Sequence, residues 1–183
     1  MVNLMIYTTH LELRPFAESD LDAIHQLWID VEIRRYIFDG KIIARDFVAE
    51  EIAASMARFT EDGTGLWSVA QRGIEAMIGF CGYRHFHEPP ELELLYGISP
   101  AYWGRGLATE ATRAMIRYGF EQIGLDLVKA SADAPNTASF RVMEKAGLQF
   151  EKRIMAGGLD TIYYALQRKD FQPDDSYYQL TQR

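Results

Sequence analysis

The stretch from Ile98 to Phe120, ISPAYWGRGLATEATRAMIRYGF, constrains what this chain can fold into more than any other. Ser99-Pro100 closes a preceding strand, and from Leu107 onward the residues Leu107, Ala111, Ala114, Met115 and Tyr118 share one helical face. Glu110, Arg113, Arg117 and Glu121 share another, spaced for ion pairs within the helix. The beginning of that helix is odd. Gly104, Arg105 and Gly106 offer no side-chain oxygen to cap it. The first amides of a helix have no partner inside it, and the helix dipole adds positive potential there. Glycines also let a ligand come close to the backbone. Residues 104 to 109 therefore read as an anion seat suited to a phosphate or pyrophosphate, with the Thr109 hydroxyl as an extra donor. A tight strand-to-helix turn with water on its amides is the plainer reading, and this motif alone leaves both open.

Two common phosphate loops do not fit. A P-loop ends in Gly-Lys-Ser/Thr, and no lysine lies between Lys41 and Lys129. In a dinucleotide fingerprint Thr109 would replace the third glycine, and the motif falls past the middle of the chain instead of opening a βαβ unit.

The rest of the pattern supplies a frame for this helix. Thr8 to Arg14 alternates loosely and reads as a strand stopped by Pro15, after which Ser19-Asp20 caps a helix through Leu21, Ile24, Leu27 and Trp28. A second helix is predicted over Ala44 to Phe59. Leu66–Gln71 and Ala76–Tyr83 read as a hairpin turning near Arg72-Gly73, and Glu91–Ile98 as the next strand. Beyond the glycine-rich helix come a strand at Leu127–Ala132 and a helix from Thr137 to Lys145 stopped by Gly147. A closing hairpin, Leu148–Met155 with Thr161–Arg168, turns across Gly157-Gly158. The order β-α-α-β-β-β-α-β-α-β-β predicts one α+β domain over residues 1–183. Its sheet is mixed and mostly antiparallel, with about seven strands and about four helices. Residues 171–183, with Tyr177-Tyr178, read either as a docked C-terminal tail or as a homodimer contact.

Composition narrows the function. The chain is 48% hydrophobic and 25% charged, which suits a packed domain, and no apolar run reaches membrane length. Its N-terminus lacks the pattern of a secretory signal. The net charge of −7 argues against nucleic-acid binding and mildly favours a cationic or amine-bearing substrate. Cys81, the single cysteine, excludes an internal disulfide and reads as a buried small residue, so a cytoplasmic setting is expected. His85 and His87 are too few to make a metal site, and none is expected. A second constellation lies in DAPNTASFRVMEKAGLQF, residues 133 to 150. There Asn136 or Thr137 can cap a helix, and Ser139 sits in its first turn, facing the space beyond the strand ends.

Taken together, these stretches resemble the GCN5-related N-acetyltransferase superfamily, in particular its branch of ribosomal-protein alanine and serine N-acetyltransferases. His10-Leu11-Glu12-Leu13-Arg14-Pro15 is similar to that branch's first strand, and Glu32-Ile33-Arg34-Arg35-Tyr36-Ile37 to a segment that follows. Glu93-Leu94-Leu95-Tyr96-Gly97-Ile98 is similar to its fourth strand. Tyr102-Trp103-Gly104-Arg105-Gly106-Leu107-Ala108-Thr109-Glu110 resembles its acetyl-CoA loop, with Trp103 where Gln or Arg is usual. Asn136-Thr137-Ala138-Ser139 with Glu144-Lys145-Ala146-Gly147-Leu148, and Tyr163-Tyr164-Ala165-Leu166, resemble the remaining signatures. The resemblance implies acetyl-CoA as cosubstrate, with its pyrophosphate on the amides of 104 to 109. It also implies that the pantetheine arm lies along Tyr96, Gly97 and Ile98, and that Asn136 bonds the pantetheine or phosphate region.

Acetyl transfer to an amine needs a neutral amine, a stabilised oxyanion and a protonated leaving thiolate. Glu93 is the candidate base, through a water, with Glu91 two residues earlier on the same strand face as its understudy. A backbone amide near Tyr96–Ile98 is placed to polarise the thioester. Ser139 is the thiolate partner that the resemblance implies, with Tyr163 or Tyr164 as further acids. The acceptor expected first is a protein N-terminus of the Ala or Ser type. A polyamine or aminoglycoside acceptor, or a non-catalytic acyl-CoA-binding module, are the alternatives; Glu88, Glu91 and Glu93 would suit a polycation.

Overall fold

The computed structural model describes residues 4–86, 90–156 and 158–182. Their strands and helices follow the order β1 (Leu4–Thr8), β2 (Leu11–Pro15), α1 (Leu21–Ile29), α2 (Val31–Ile37), α3 (Arg45–Glu61), β3 (Leu66–Gln71), β4 (Met77–Phe86) and β5 (Glu91–Ile98). Then come α4 (Leu107–Tyr118), β6 (Leu127–Asp133), α5 (Thr137–Lys145), β7 (Gln149–Ala156), β8 (Leu159–Gln167) and β9 (Tyr178–Gln182). One sheet runs β5-β4-β3-β2-β1-β9 and a smaller one β6-β8-β7, with antiparallel pairing between neighbours. This is the expected α+β class, with three further elements. β1 escapes the alternation test because LMIYT is nearly all apolar; the strand read across Thr8–Arg14 is in fact a hairpin turning at Thr9-His10. α2 is two turns long, signalled only by Asp30, which caps it by accepting from the amides of Glu32 and Ile33. β9 is largely polar and exists by pairing with β1, in the register Ile6 to Leu180.

Two cores lie on opposite faces of the larger sheet. On one, Leu13, Trp67, Val69, Leu94 and Ile98 pack against Ala111 and Met115 of α4. On the other, Leu66 and Phe80 pack against Ile24, Trp28, Ile33, Val48 and Ile52 of α1 to α3. The predicted apolar face of α4 is buried in full, from Leu107 to Tyr118. Its polar face differs from expectation: Arg117 pairs with Glu121, whereas Glu110 turns to the β1–β2 hairpin and Arg113 to Asp174 and the Lys145 carbonyl. Asp20 does not cap α1. A 3-10 turn, Glu18–Asp20, precedes the helix, and the Asp20 carboxylate is held bidentately by Arg14 while accepting from the Ala17 amide.

The two sheets meet at β5 and β6, and this junction positions everything that follows. The Lys129 ammonium donates to Glu91 at 2.9 Å, and the Ser131 hydroxyl donates to Glu93 at 2.6 Å. Both contacts span 38 positions, so the strands run side by side in the same direction. The same offset sets Leu95 opposite Asp133, where β6 ends. Tyr96, Gly97 and Ile98 run on beyond it, bonded to β4 on one side and opening into a cleft on the other.

Candidate active site

The cleft that opens there measures about 520 Å³. Tyr96, Gly97 and Ile98 form its floor, Trp103, Gly104 and Gly106 to Thr109 one wall, Pro135 to Ser139 the other, and Glu32, Ile33 and Arg35 to Ile37 of α2 a third side. Residues from both layers of the molecule thus face one space, which passes through the gap between the sheets. Gly97 is required at this point, because a Cβ there would lie 2.6 Å from the Phe80 ring.

The wall at α4 is built as its sequence implies. After a 3-10 turn at Pro100–Tyr102, Gly104 and Gly106 take φ of 76° and 78°, left-handed values that favour glycine. Gly106 is the N-cap and supplies no side-chain hydrogen bond, so the amides opening the helix meet the cleft uncapped. A Cβ on Gly104 or Gly106 would touch nothing; the space over them is open. Trp103 is half-exposed, and its indole N–H donates to the Ile98 carbonyl at 2.6 Å, which pins the loop to the end of β5. Arg105 departs from the group. Its side chain lies near the Tyr102 ring and borders a neighbouring hollow instead of the cleft.

Opposite, Asn136 caps α5 by accepting from the Ser139 amide at 3.2 Å, which leaves its amide nitrogen as the donor end. The Ser139 hydroxyl lies 2.6 Å from the Tyr96 hydroxyl, across the gap between the sheets. Burial pushes the Tyr96 phenol well above its ordinary pKa, and the Ser139 contact opposes this only in part.

Glu93 is 3% exposed and lies on the strand face it shares with Leu95 and Gly97, the face packed by α1 to α3. In register beside it is Arg84, whose guanidinium reaches Glu51 of α3. Glu93 is thus set apart from the wall at α4, on the side of the sheet where α2 borders the cleft. Glu91 is held by Lys129.

The structure brings none of Glu93, Tyr163 and Tyr164 to the cleft lining. Tyr163 stands opposite Ser131 in the β6–β8 register, where burial and the nearby Glu93, Glu91 and Glu151 raise its pKa. The Tyr164 hydroxyl donates to Glu144 at 2.9 Å. Cys81 is buried, and burial alone raises its thiol pKa, which suits packing and not nucleophilic attack. His87 and Glu88 lie outside the described residues. Among the described residues no group of three or more His, Cys, Asp or Glu is arranged to hold a metal, and no helix is long and apolar enough to cross a membrane.

Sequence reasoning missed several residues that border the cleft: Tyr36 of α2, and Arg141 and Lys145 on α5. The spacing of Arg141 and Lys145, four apart on one helical face, was the available signal for a basic edge.

The sequence pattern of the family described as the acetyltransferase (GNAT) domain matches residues 10–149. The putative ribosomal N-acetyltransferase YdaF of Bacillus subtilis is 30% identical over 176 residues, covering 89% of this chain and 94% of that one. The spermidine N(1)-acetyltransferase of Escherichia coli K12 is 28% identical, covering 79% and 76%. A solved GNAT-family acetyltransferase from Bacillus anthracis superposes with a TM-score of 0.75 at 26% identity, over 90% of this chain and 99% of that one. A splayed junction between two sheets, an uncapped glycine-opened helix beside it and a family match over most of the chain lead to one conclusion: this chain belongs to the GNAT family and is an acetyl-CoA-dependent N-acetyltransferase.

Proposed function

We propose that this enzyme acetylates the α-amino group of a protein or peptide N-terminus of the Ala or Ser type, by direct transfer in a ternary complex. The observation that carries the reading is the free end of β5, Tyr96 to Ile98, running past β6 beside the uncapped start of α4. A thioester laid along that edge takes backbone hydrogen bonds as an added strand would. Its pyrophosphate then falls to the amides of Gly104 to Thr109, with Arg141 and Lys145 bordering the same cleft as cations. The Asn136 amide group donates to the pantetheine or a phosphate.

The acceptor enters from the α2 side. Its nitrogen attacks the thioester carbon, a C–N bond forms, and the oxyanion is held by a backbone amide near Tyr96–Ile98. The surplus nitrogen proton passes through a water to the Glu93 carboxylate. The C–S bond breaks with its electron pair going to sulfur, and Ser139 donates a hydrogen bond to that sulfur. Lys129 pairs with Glu91 at 2.9 Å and Ser131 donates to Glu93 at 2.6 Å, so both carboxylates are held in place, and Glu93, the more buried of the two, is the base of this reading.

The likeness to the putative ribosomal enzyme, which this chain covers almost end to end, favours a peptide acceptor. The likeness to the spermidine enzyme keeps a polyamine as the second reading. A thiol-release screen against peptides beginning with Ala, Ser or Met, polyamines and aminoglycosides separates them. The expected result is fastest release with Ala or Ser peptides, and Glu93→Gln lowering kcat about 100-fold or more with CoA affinity unchanged. Faster release with spermidine would replace the peptide by a polyamine, and wild-type rates in Glu93→Gln would remove Glu93 from the mechanism.

A further inference from the structure

We propose that the Tyr96 hydroxyl is a positioning group for Ser139: it donates to the serine oxygen and thereby turns the serine's own proton onto the thioester sulfur. The inference rests on the reading of Ser139 as the thiolate's partner. The two oxygens are 2.6 Å apart; the Tyr96 hydroxyl also donates to the Ser139 carbonyl at 3.1 Å, so its one proton is shared between two acceptors, of which the serine oxygen is the nearer. Both residues border the cleft, one from β5 and one from α5, so the contact bridges the splay where the pantetheine arm is placed.

A serine hydroxyl has one proton and can point it at one acceptor. Left alone in the first turn of a helix, it turns back to a carbonyl three or four residues earlier, here Asn136 or Pro135. An O–H donor aimed at the serine oxygen favours the other rotamer. Tyr96 suits the task because burial keeps it protonated, so it acts as a donor through the whole cycle and never as the acid. As the C–S bond breaks, the electron pair goes to sulfur, Ser139 holds the thiolate by a charge-assisted hydrogen bond, and water supplies the final proton. Tyr96 gains and loses nothing.

The test needs no acceptor. CoA is bound to the wild-type enzyme, to Ser139→Ala and to Tyr96→Phe, and the bound thiol is titrated by the ultraviolet absorbance of its thiolate; calorimetry gives the CoA affinity. The wild type is expected to make the thiol about 10- to 100-fold more acidic than in free CoA. Both variants should return it most of the way, with CoA affinity within about threefold of wild type, the size of a lost weak contact. The double variant should equal either single one. A reversal in Ser139→Ala but not in Tyr96→Phe would overturn the Tyr96 role and keep that of Ser139. No shift in the wild type, or none lost in Ser139→Ala, would overturn both. A Tyr96→Phe protein that binds CoA poorly yet keeps the acidic thiol would make Tyr96 a strut of the cleft and overturn the proposal, as would failure of the wild type to bind CoA.

Discussion

Helices α4 and α5 begin on facing walls of one cleft, and they begin differently. α5 completes itself, since Asn136 supplies the oxygen that the Ser139 amide needs. α4 does not, since Gly106 at φ 78° provides a bend and no cap. A missing cap costs a helix about 1 kcal/mol. A ligand present at a hundred times its Kd stabilises a fold by about 2.7 kcal/mol. The ligand term is the larger, so a helix left open at a binding site can be more than compensated whenever the site is filled. On the proposed reading, the unfinished helix end is where the ligand binds, whereas the finished one holds side chains in place beside it.

Between the two helix starts, the larger expected effect follows from closing the open one. Gly106→Ala forces a Cβ into a left-handed conformation at a cost of about 1–2 kcal/mol, and relief of the strain re-aims the amides. Calorimetry should show acetyl-CoA affinity lowered about tenfold or more, the ratio that a loss of about 1.4 kcal/mol represents. Asn136→Ala should act in the opposite proportion. Denaturant unfolding should register the lost cap, about 1 kcal/mol, while CoA binds only a few-fold more weakly, through the missing amide donor. If Asn136→Ala weakens CoA more than Gly106→Ala does, the contrast between the two helices is reversed.

The smallest effect concerns how α4 is tethered. Glu110 accepts from the Thr8 hydroxyl at 2.6 Å, the His10 amide at 2.7 Å and His10 Nδ1 at 2.9 Å. Burial alone would raise its pKa, but these hydrogen bonds prevail and hold it below the usual carboxylate value. A depressed carboxyl stabilises the fold at neutral pH, and that contribution fades as pH falls through the depressed value. The melting temperature of wild type should therefore exceed that of Glu110→Gln by a few degrees at neutral pH, with the gap narrowing in acid. Because His10 is largely solvent-exposed, the effect is modest. A gap independent of pH would mean that the carboxylate charge is not what tethers the helix.

How much of this was legible in the sequence differs with the range of the interaction. α5, β3 and β5 carry their own periodicity and punctuation, and their limits match expectation within a residue or two; α4 opens at Leu107 as expected. The uncapped loop at 104 to 109 was legible for the same reason, because its defining property is the side chains it lacks. The two catalytic tyrosines proposed from the last hairpin were not. Their destinations depend on the β6–β8 register, which sets Tyr163 opposite Ser131 and frees Tyr164 to reach Glu144. Tyr96 was expected to contribute only its backbone. Its hydroxyl meets Ser139 across 43 positions, because two strands part at one point, and local pattern carries no trace of that. α2 likewise became part of the cleft through tertiary packing; the resemblance of Glu32 to Ile37 to a family segment did not say where that segment packs.

The central claim is that the open start of α4 is where acetyl-CoA is held. Backbone amide NMR on the isotopically labelled protein, titrated with acetyl-CoA, tests it directly. The account predicts the largest shifts at Gly104, Gly106, Leu107, Ala108 and Thr109, with a second set at Tyr96 to Ile98 and smaller ones in the first turn of α5. Saturable binding that leaves the amides of 104 to 109 unmoved would contradict it.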